Sequence, residues 1–268
     1  MAEIRVGIAG LGTVGRAVAR GLADGITGLA LACVAARDRT KAKAWLDAER
    51  ILCPIVALEE LPAHADIAVE CAPASLLPRI CRPMLEAGKR VMVLSCGALL
   101  VHPELLELAK ARGGRILVPT GGLLGLDAVA AAAEGTIHSV KMVTRKPPRG
   151  LEGAPYLAAK KISVAGLNAP KQVFKGSARD AAAGFPANVN VVAALALVGI
   201  GPDRTEIEIW ADPTIDRNRH LIEVEADSAR FTLAIENVPT ENPRTGKIVA
   251  LSVLAALRKL SAPLQVGT

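Results

Sequence analysis

The sequence predicts an α/β protein of two domains: a doubly wound parallel sheet, then a second α/β domain whose sheet is mostly antiparallel. Three observations favour this class. Hydrophobic residues make up 51% of the 268 residues and aromatic residues only 2%, so the interior is aliphatic. Strand and helix patterns alternate in the first half, as they do around parallel sheets. In the second half, strands of alternating apolar and polar residues follow one another closely, as in antiparallel sheets.

The first helix-and-strand unit carries a glycine motif. An apolar strand, "IRVGIA", leads through Gly10, Gly12 and Gly15 into a helical pattern. In a dinucleotide-binding turn, the first glycine permits the tight bend, the second lets the backbone approach a pyrophosphate, and the third lets the helix pack on the strand. The helix would start near Thr13 and Val14, whose N–H groups can face phosphate oxygens. The motif predicts a Rossmann domain; a purely structural glycine turn is the alternative.

The end of the second predicted strand, residues 29–36, bears on which dinucleotide binds. The stretch "AARDRT" places Arg37, Asp38 and Arg39 there. An arginine at this position accommodates the extra phosphate of NADP, whereas an acidic residue binds the ribose hydroxyls of NAD. The expected cofactor is NADP or NAD, with Arg37 as a binding residue; a solvated charged loop is the alternative.

Further alternation of strands and helices completes a first domain over residues 1–118. The remaining strands of this domain are predicted at residues 65–73, 90–99 and 115–122. Ligands of parallel sheets bind beyond the carboxyl ends of the strands, so residues 95–97 and 120–122 are expected near the nicotinamide. Cys96 lies there, but no basic partner is visible, so an inert thiol is expected rather than a nucleophile.

The second domain is predicted over residues 119–241. Its strands are expected at residues 138–146, 205–213, 220–226 and 230–237, and its helices at 125–135 and 185–201. An amphipathic helix at residues 242–260, within the C-terminal segment 242–268, is expected to pack back on the first domain.

Composition excludes several classes of function. The net charge is +6, but Lys and Arg are scattered and aromatic residues are too few to stack on bases, so no nucleic acid is expected. The longest apolar run, residues 191–200, is too short to cross a bilayer, so no membrane is expected as a partner. Five cysteines form no Cys-x-x-Cys pair, which favours a reducing, cytoplasmic setting. No histidines or carboxylates stand at metal-ligand spacing, so no metal is expected.

His220 is the candidate proton-transfer residue. It leads a strand in which His220, Ile222 and Val224 share one apolar face. A histidine whose pKa lies near neutrality could exchange protons with a substrate. A packed or hydrogen-bonded structural histidine is the alternative.

Several segments resemble the L-aspartate dehydrogenase family. They are "TGGLLGLDAVAAA", "TRKPP", "GSARDAAAGFPANVNVVAALALVGIG", "ADPTIDRNRHLIE" and "ENPRTGKIVALSVLAAL", in matching order. The resemblance implies a Rossmann domain, an α/β catalytic domain, and NAD(P)-dependent oxidative deamination of L-aspartate. The product would be iminoaspartate, which hydrolyses to oxaloacetate and ammonia or feeds pyridine-nucleotide biosynthesis.

The resemblance also implies roles for single residues. The family's catalytic histidine falls on His220, its cofactor-contacting asparagine on Asn190, and the small residue of its "SGAIGG" motif on Gly122. This chain has "TGGLLG" in that place and "SCGAL" where the family has "SVGAL". Both departures border the expected nicotinamide and substrate pocket, so they bear on the identity of the substrate.

The substrate implied is a small dicarboxylic amino acid, whose carboxylates need cationic or amide donors. The candidates are Asn188, Arg145 and Lys146. Two other functions stay open: a reductase of another imine or of a semialdehyde, and a dinucleotide-binding protein without turnover. A homodimer is expected, with an apolar face of the second sheet as its interface.

Overall fold

The computed structural model describes residues 3–186, 189–241 and 246–267. The chain folds into two compact units. The first comprises Met1–Pro119 and Ala250–Gln265, and the second comprises Thr120–Val249 and Val266–Thr268.

The first unit is built on a parallel sheet of six strands, which confirms the predicted Rossmann class. The strands are β1 (Ile4–Ala9), β2 (Leu29–Ala35), β3 (Ile55–Val56), β4 (Ile67–Glu70), β5 (Arg90–Val93) and β6 (Arg115–Leu117). Their order is β3-β2-β1-β4-β5-β6, and every pairing is parallel. The order reverses beside β1, and ligands of such sheets bind at the carboxyl ends of the strands that flank this point, here β1 and β4.

Helices cover both faces of this sheet. They are α1 (Thr13–Ala23), α2 (Arg39–Ala48), α3 (Leu61–His64), α4 (Leu77–Glu86), α5 (Cys96–Leu99) and α6 (Glu104–Arg112). The C-terminal α11 (Ile248–Lys259) also contributes, because Val253 and Leu257 are buried in the same apolar cluster as Val18 and Leu22 of α1. Leu254 packs so closely on α1 that a Cβ added at Gly21 would lie 2.6 Å from its methyl carbon.

Three predicted strands of this unit are too long: β4 ends at Glu70, β6 ends at Leu117, and the largest difference is at β5. The sequence predicts a single strand over residues 90–99, but β5 ends at Val93 and Cys96–Leu99 forms a short helix. The cause is the Glu70 carboxylate, which accepts hydrogen bonds from the N–H groups of Leu94 and Ser95 at 3.1 and 2.8 Å. These bonds replace the ladder partners that a longer strand would need.

The second unit is a mixed sheet of five strands. They are β7 (Ile137–Lys146), β8 (Lys171–Ser177), β9 (Thr205–Ala211), β10 (Asn218–Ala226) and β11 (Arg230–Asn237). The order is β11-β10-β7-β9-β8, and only the β7–β9 pairing is parallel. The mostly antiparallel sheet expected from the sequence is therefore confirmed.

Strand β8 is not among the strands that the sequence predicts. Its register shifts between Gln172 and Phe174, where it pairs with β9. The shift buries two consecutive residues, Val173 and Phe174, and thus breaks the alternation by which strands are recognised.

Helices α7 (Leu126–Ala133), α8 (Pro155–Ala159), α9 (Ala178–Gly184) and α10 (Asn190–Val198) complete the second unit. The helix expected over residues 185–201 starts only at Asn190, since Phe185 has a non-helical backbone and packs in an aromatic cluster with Tyr156 and Phe174. At the end of α10, Gly199 lets this helix approach Val129 of α7. Among the described residues, no helix has the length and apolarity that crossing a bilayer requires.

Candidate active site

The glycine turn of the first unit has the geometry of a phosphate-binding turn. Gly10 adopts a φ of +103°, and a Cβ there would lie 2.6 Å from the carbonyl oxygen of Cys71. A Cβ at Gly15 would overlap the carbonyl oxygen of Gly10. These two glycines are required by the fold itself, because side chains at these positions would collide with backbone.

Gly12 differs from the other two glycines. A Cβ added there meets no atom within 4 Å, so the protein alone does not require glycine at this position. Gly12 is the N-cap of α1, where no side chain caps the helix, and the first turn contains no acidic residue. Thr13 is exposed and Val14 half-buried at this helix start. The first turn of a helix leaves N–H groups without an intrahelical acceptor, so the site can bind a pyrophosphate.

After the end of β2, the two charged residues that follow Arg37, Asp38 and Arg39, both form hydrogen bonds within the protein. The Asp38 carboxylate accepts a hydrogen bond from the Lys41 N–H at 2.9 Å and so caps α2. The Arg39 guanidinium donates to the Ile55 carbonyl oxygen at 2.6 Å. The carboxylate of Asp38 thus already serves as a helix cap, while Arg37 is exposed to solvent.

Glu70 is not a candidate from the sequence, although it closes a strand of otherwise apolar residues. Its side chain is fully buried at the end of β4. Four donors converge on it: the N–H groups of Leu94, Ser95 and Ala72, and the Ser95 hydroxyl, at 2.8–3.2 Å. Burial raises the pKa of the Glu70 carboxyl, and the hydrogen bonds from Ser95 oppose that rise. Glu70 therefore joins the carboxyl ends of β4 and β5, the edge at which ligands of parallel sheets generally bind.

Cys96 lies beside this edge and is buried, with its thiol 3.7 Å from the Val93 carbonyl oxygen. Burial, together with the nearby Glu70, raises the pKa of the Cys96 thiol to about 12. A thiol with this pKa stays protonated at neutral pH and is a poor nucleophile.

In the second unit, His220 lies on the buried face of β10 with Ile222 and Val224. Its side chain is 4% exposed, and its Nδ1 atom hydrogen-bonds with the Thr144 hydroxyl at 3.1 Å. Burial, and secondarily the charge of Lys146, lowers the pKa of His220 from 6.5 to about 3. The sequence-based expectation of a pKa near neutrality is thus not met in the free protein, because the ring is desolvated beside a cation.

A row of polar side chains lies at the end of the same face, next to His220. Asn218 on β10 faces Asn237 on β11, and Lys146 ends the neighbouring β7. All three are at most 6% exposed. Asn237 Nδ2 donates to the carbonyl oxygen of Gly122 at 2.8 Å. We call Lys146, Asn218 and Asn237 the polar row. The sequence analysis predicts Lys146 as a site residue but neither asparagine. In the sequence, each asparagine is marked only by its place at the end of a strand.

The other predicted site residues of this unit are not all brought together. Arg145 lies on the opposite face of β7 from Lys146. There its Nη1 atom is 3.3 Å from Asp212 Oδ2, and its guanidinium carbon lies 4.8 Å from the centre of the Trp210 ring. Alternation along the strand therefore separates Arg145 from the face of His220. Asn190 is half-buried at the first position of α10. Asn188 lies outside the described residues.

A parallel six-stranded sheet with a glycine turn, followed by a mixed sheet with a buried histidine, is the architecture of NAD(P)-dependent dehydrogenases. Residues 127–260 match the family model "Aspartate dehydrogenase, C-terminal", and residues 10–119 match "Homoserine dehydrogenase, NAD binding domain". The chain belongs to the aspartate dehydrogenase family.

Individual relatives agree with the family match. L-aspartate dehydrogenase 3 of Bordetella bronchiseptica is 55% identical over 99% of this chain and 98% of its own length. L-aspartate dehydrogenase of Bradyrhizobium diazoefficiens is 56% identical over 99% of this chain and 95% of its own length. The crystal structure of aspartate dehydrogenase from Thermotoga maritima shares the fold, with a TM-score of 0.75 at 23% identity over 99% of this chain and 100% of that one.

Proposed function

We propose that this chain catalyses the NAD(P)-dependent oxidative deamination of L-aspartate to iminoaspartate, which hydrolyses to oxaloacetate and ammonia, or the reverse reductive amination. The observation that carries the proposal is identity of 55–56% with two L-aspartate dehydrogenases over 99% of the chain. The product iminoaspartate would also serve pyridine-nucleotide biosynthesis.

In this proposal one domain binds the cofactor and the other binds the substrate. Residues 1–118 bind the dinucleotide through Gly10, Gly12, Thr13, Val14 and Gly15. Residues 119–241 bind and deprotonate the substrate, and residues 250–265 belong to the first unit. The open space at the Gly12 Cβ position supports a pyrophosphate there. No protein atom would collide with a side chain at this position, so the glycine is better explained by a ligand that needs the space.

His220 is the proton acceptor in this mechanism. When bound, the dinucleotide would supply the acceptor for the hydride that leaves the carbon bearing the amine. The uncharged imidazole of His220 can take a proton from the substrate ammonium or from the attacking water. With a pKa of about 3 the ring is uncharged at neutral pH, but it is a weak base in the free protein. A substrate carboxylate close to the ring would raise this pKa and make His220 a stronger base.

Lys146 is the cation that we assign to a substrate carboxylate. It is buried on the face that carries His220, and its charge acts on that ring. Asn188 remains a proposed second donor. Arg145 is not part of the proposed pocket, because it lies on the opposite face with Asp212 and Trp210. Gly122 and Asn190 remain proposed contacts of the cofactor.

The function is tested by following nicotinamide absorbance with purified protein, L-aspartate and either NAD or NADP. Turnover of aspartate supports the proposal. Cofactor binding without turnover of aspartate would contradict it. The oxidation of NADH or NADPH by cyclic imines or semialdehydes would then identify a reductase. The departures "TGGLLG" and "SCGAL" are the reason for including those substrates.

Arg37 is expected to bind the extra phosphate of NADP. Replacing Arg37 by serine should raise the KM for NADP about 10- to 100-fold, because a charge-assisted contact with phosphate is lost. The KM for NAD should change less than about threefold, since NAD lacks that phosphate. Steady-state kinetics with both cofactors measures the difference. Lys41→Ser, on the neighbouring exposed helix start, is the control; an equal effect of both substitutions would argue for a diffuse charge instead.

We propose a homodimer formed through the face of the second sheet that is opposite to His220. On this face the half-buried Val143 and Trp210 and the exposed Leu221 lie among ion pairs such as Arg219–Glu236. Aromatic residues and arginine are enriched at such interfaces.

The substitution Leu221→Glu is expected to shift the protein from dimer to monomer in light scattering, because it places a charge at the centre of this face. Glu223→Gln at the rim should leave the mass unchanged. A monomeric wild-type protein would contradict the proposal.

The five cysteines are all free, which supports a reducing cytoplasmic setting.

A further inference from the structure

Asn237 uses only one side of its amide for hydrogen bonds to the described residues. It is the last residue of β11 and is 5% exposed. Its Nδ2 atom donates to the Gly122 carbonyl oxygen at 2.8 Å, but its Oδ1 atom is buried without a hydrogen-bond partner in the part of the chain that the structure describes. A buried carbonyl oxygen without a donor typically costs about 1–3 kcal/mol, so its presence needs a reason.

The orientation of this amide is determined by its surroundings. Turning the amide over would point Oδ1 at the Gly122 carbonyl oxygen, and two acceptors would repel each other. On the side of Oδ1, a Cβ added at Gly246 would lie 3.3 Å from this atom. Glycine at position 246 therefore leaves the acceptor less crowded than any other residue would.

The free acceptor lies in the polar row next to His220. Asn218 faces Asn237 across the strand pair, and His220 is two residues further along β10 on the same face. Diagonal neighbours of this kind are about 7–8 Å apart. Lys146 adds a positive charge that acts on His220. A cation for a carboxylate and an acceptor for an N–H group are what an amino acid needs for recognition.

We propose that Asn237 Oδ1 accepts a hydrogen bond from the amino group of the substrate and thereby selects amino acids over dicarboxylates that lack an amine. This inference rests on the proposed function, because it assigns a substrate-binding role at the same site. By holding the amine, Asn237 also orients the carbon from which hydride leaves.

Two variants separate the acceptor from the structural anchor. Both Asn237→Ala and Asn237→Asp lose the N–H group that binds Gly122, but only Asn237→Asp keeps an oxygen acceptor for an ammonium group. Asn237→Asp also places an oxygen against the Gly122 carbonyl oxygen, so the loss of a merely structural role would be at least as large in this variant as in Asn237→Ala.

The test is calorimetric titration of each protein, saturated with NADPH so that no turnover occurs, with L-aspartate and with succinate. We expect Asn237→Ala to lower the preference for aspartate over succinate about 10- to 100-fold, the value of a hydrogen bond to a charged group. Asn237→Asp should keep that preference at or above the wild-type level.

Two results would overturn the proposal. Equal losses of affinity for aspartate and succinate in Asn237→Ala would show a structural role. A loss of NADPH affinity with an unchanged aspartate preference would show that the N–H donor is the cofactor's carboxamide. Turnover of aspartate by the wild-type protein with the oxidised cofactor is scored separately, so failure of the proposed function is distinguishable from failure of this inference.

Discussion

Replacing His220 by alanine is expected to lower kcat for aspartate oxidation about 10²- to 10⁴-fold, the usual contribution of a general base. The affinity for NADP should stay within about twofold, because the proposed cofactor-binding turn belongs to the first unit. Steady-state kinetics and a fluorescence titration with NADPH measure the two quantities. A fall in kcat of less than about threefold would exclude His220 as the base.

Thr144→Val is the matched control for this substitution. It removes the hydroxyl that hydrogen-bonds with His220 Nδ1 at 3.1 Å but keeps the shape of the side chain and the imidazole itself. The expected loss of kcat is about tenfold, smaller than that of the alanine variant, because only the orientation of the ring is affected. Equal losses in both variants would indicate that the ring acts through packing.

The lowered pKa of His220 also predicts a pH dependence of stability. Its pKa is about 3 in the folded protein against 6.5 for an unperturbed histidine. The unfolded chain therefore binds a proton as the pH falls through 6.5, while the folded chain does not until about pH 3. His220 should thus cost about 2 kcal/mol of stability between neutrality and about pH 5, and nothing further above neutrality. Urea unfolding of wild type and His220→Ala at these two pH values should show a shallower acid loss in the variant.

Most of the order of elements in the first unit could be predicted because apolar strands and capped helices alternate along the chain, but the two-residue edge strand β3 has no such signal. Its glycine turn could also be predicted, since the role of each glycine depends only on neighbouring residues and the bound phosphate. The over-long strand at residues 90–99 could not be corrected from the sequence. Its end is set by Glu70, which accepts hydrogen bonds from Leu94 and Ser95 about two dozen residues away.

The same limit applies to the candidate site. Alternation along β10 placed His220 on the buried face, but the pKa of this residue depends on neighbours from another strand, Thr144 and Lys146. Asn237 carries no motif, and its partner Gly122 is 115 residues away. Residues that act through distant contacts therefore become visible only in the folded chain.

The largest loss of stability is expected from Gly15→Ala. The added Cβ would overlap the Gly10 carbonyl oxygen, which belongs to backbone and cannot move aside as a side chain would. The free energy of unfolding should fall by about 3 kcal/mol, at the upper end of overpacking effects. The affinity for NADPH should fall at least about 100-fold, because the turn and the start of α1 must shift. Urea unfolding and fluorescence titration measure the two effects.

Gly12→Ala separates these two effects from each other. Since a Cβ at Gly12 meets no protein atom within 4 Å, its stability should change by less than about 1 kcal/mol, as for a glycine-to-alanine change at an N-cap. Its affinity for NADPH should still fall about 10- to 100-fold if a pyrophosphate occupies that space. Unchanged affinity would mean that the dinucleotide does not pass over Gly12. Gly15 would then be required by the fold alone, and the glycine turn would lose its meaning as a cofactor signature in this chain.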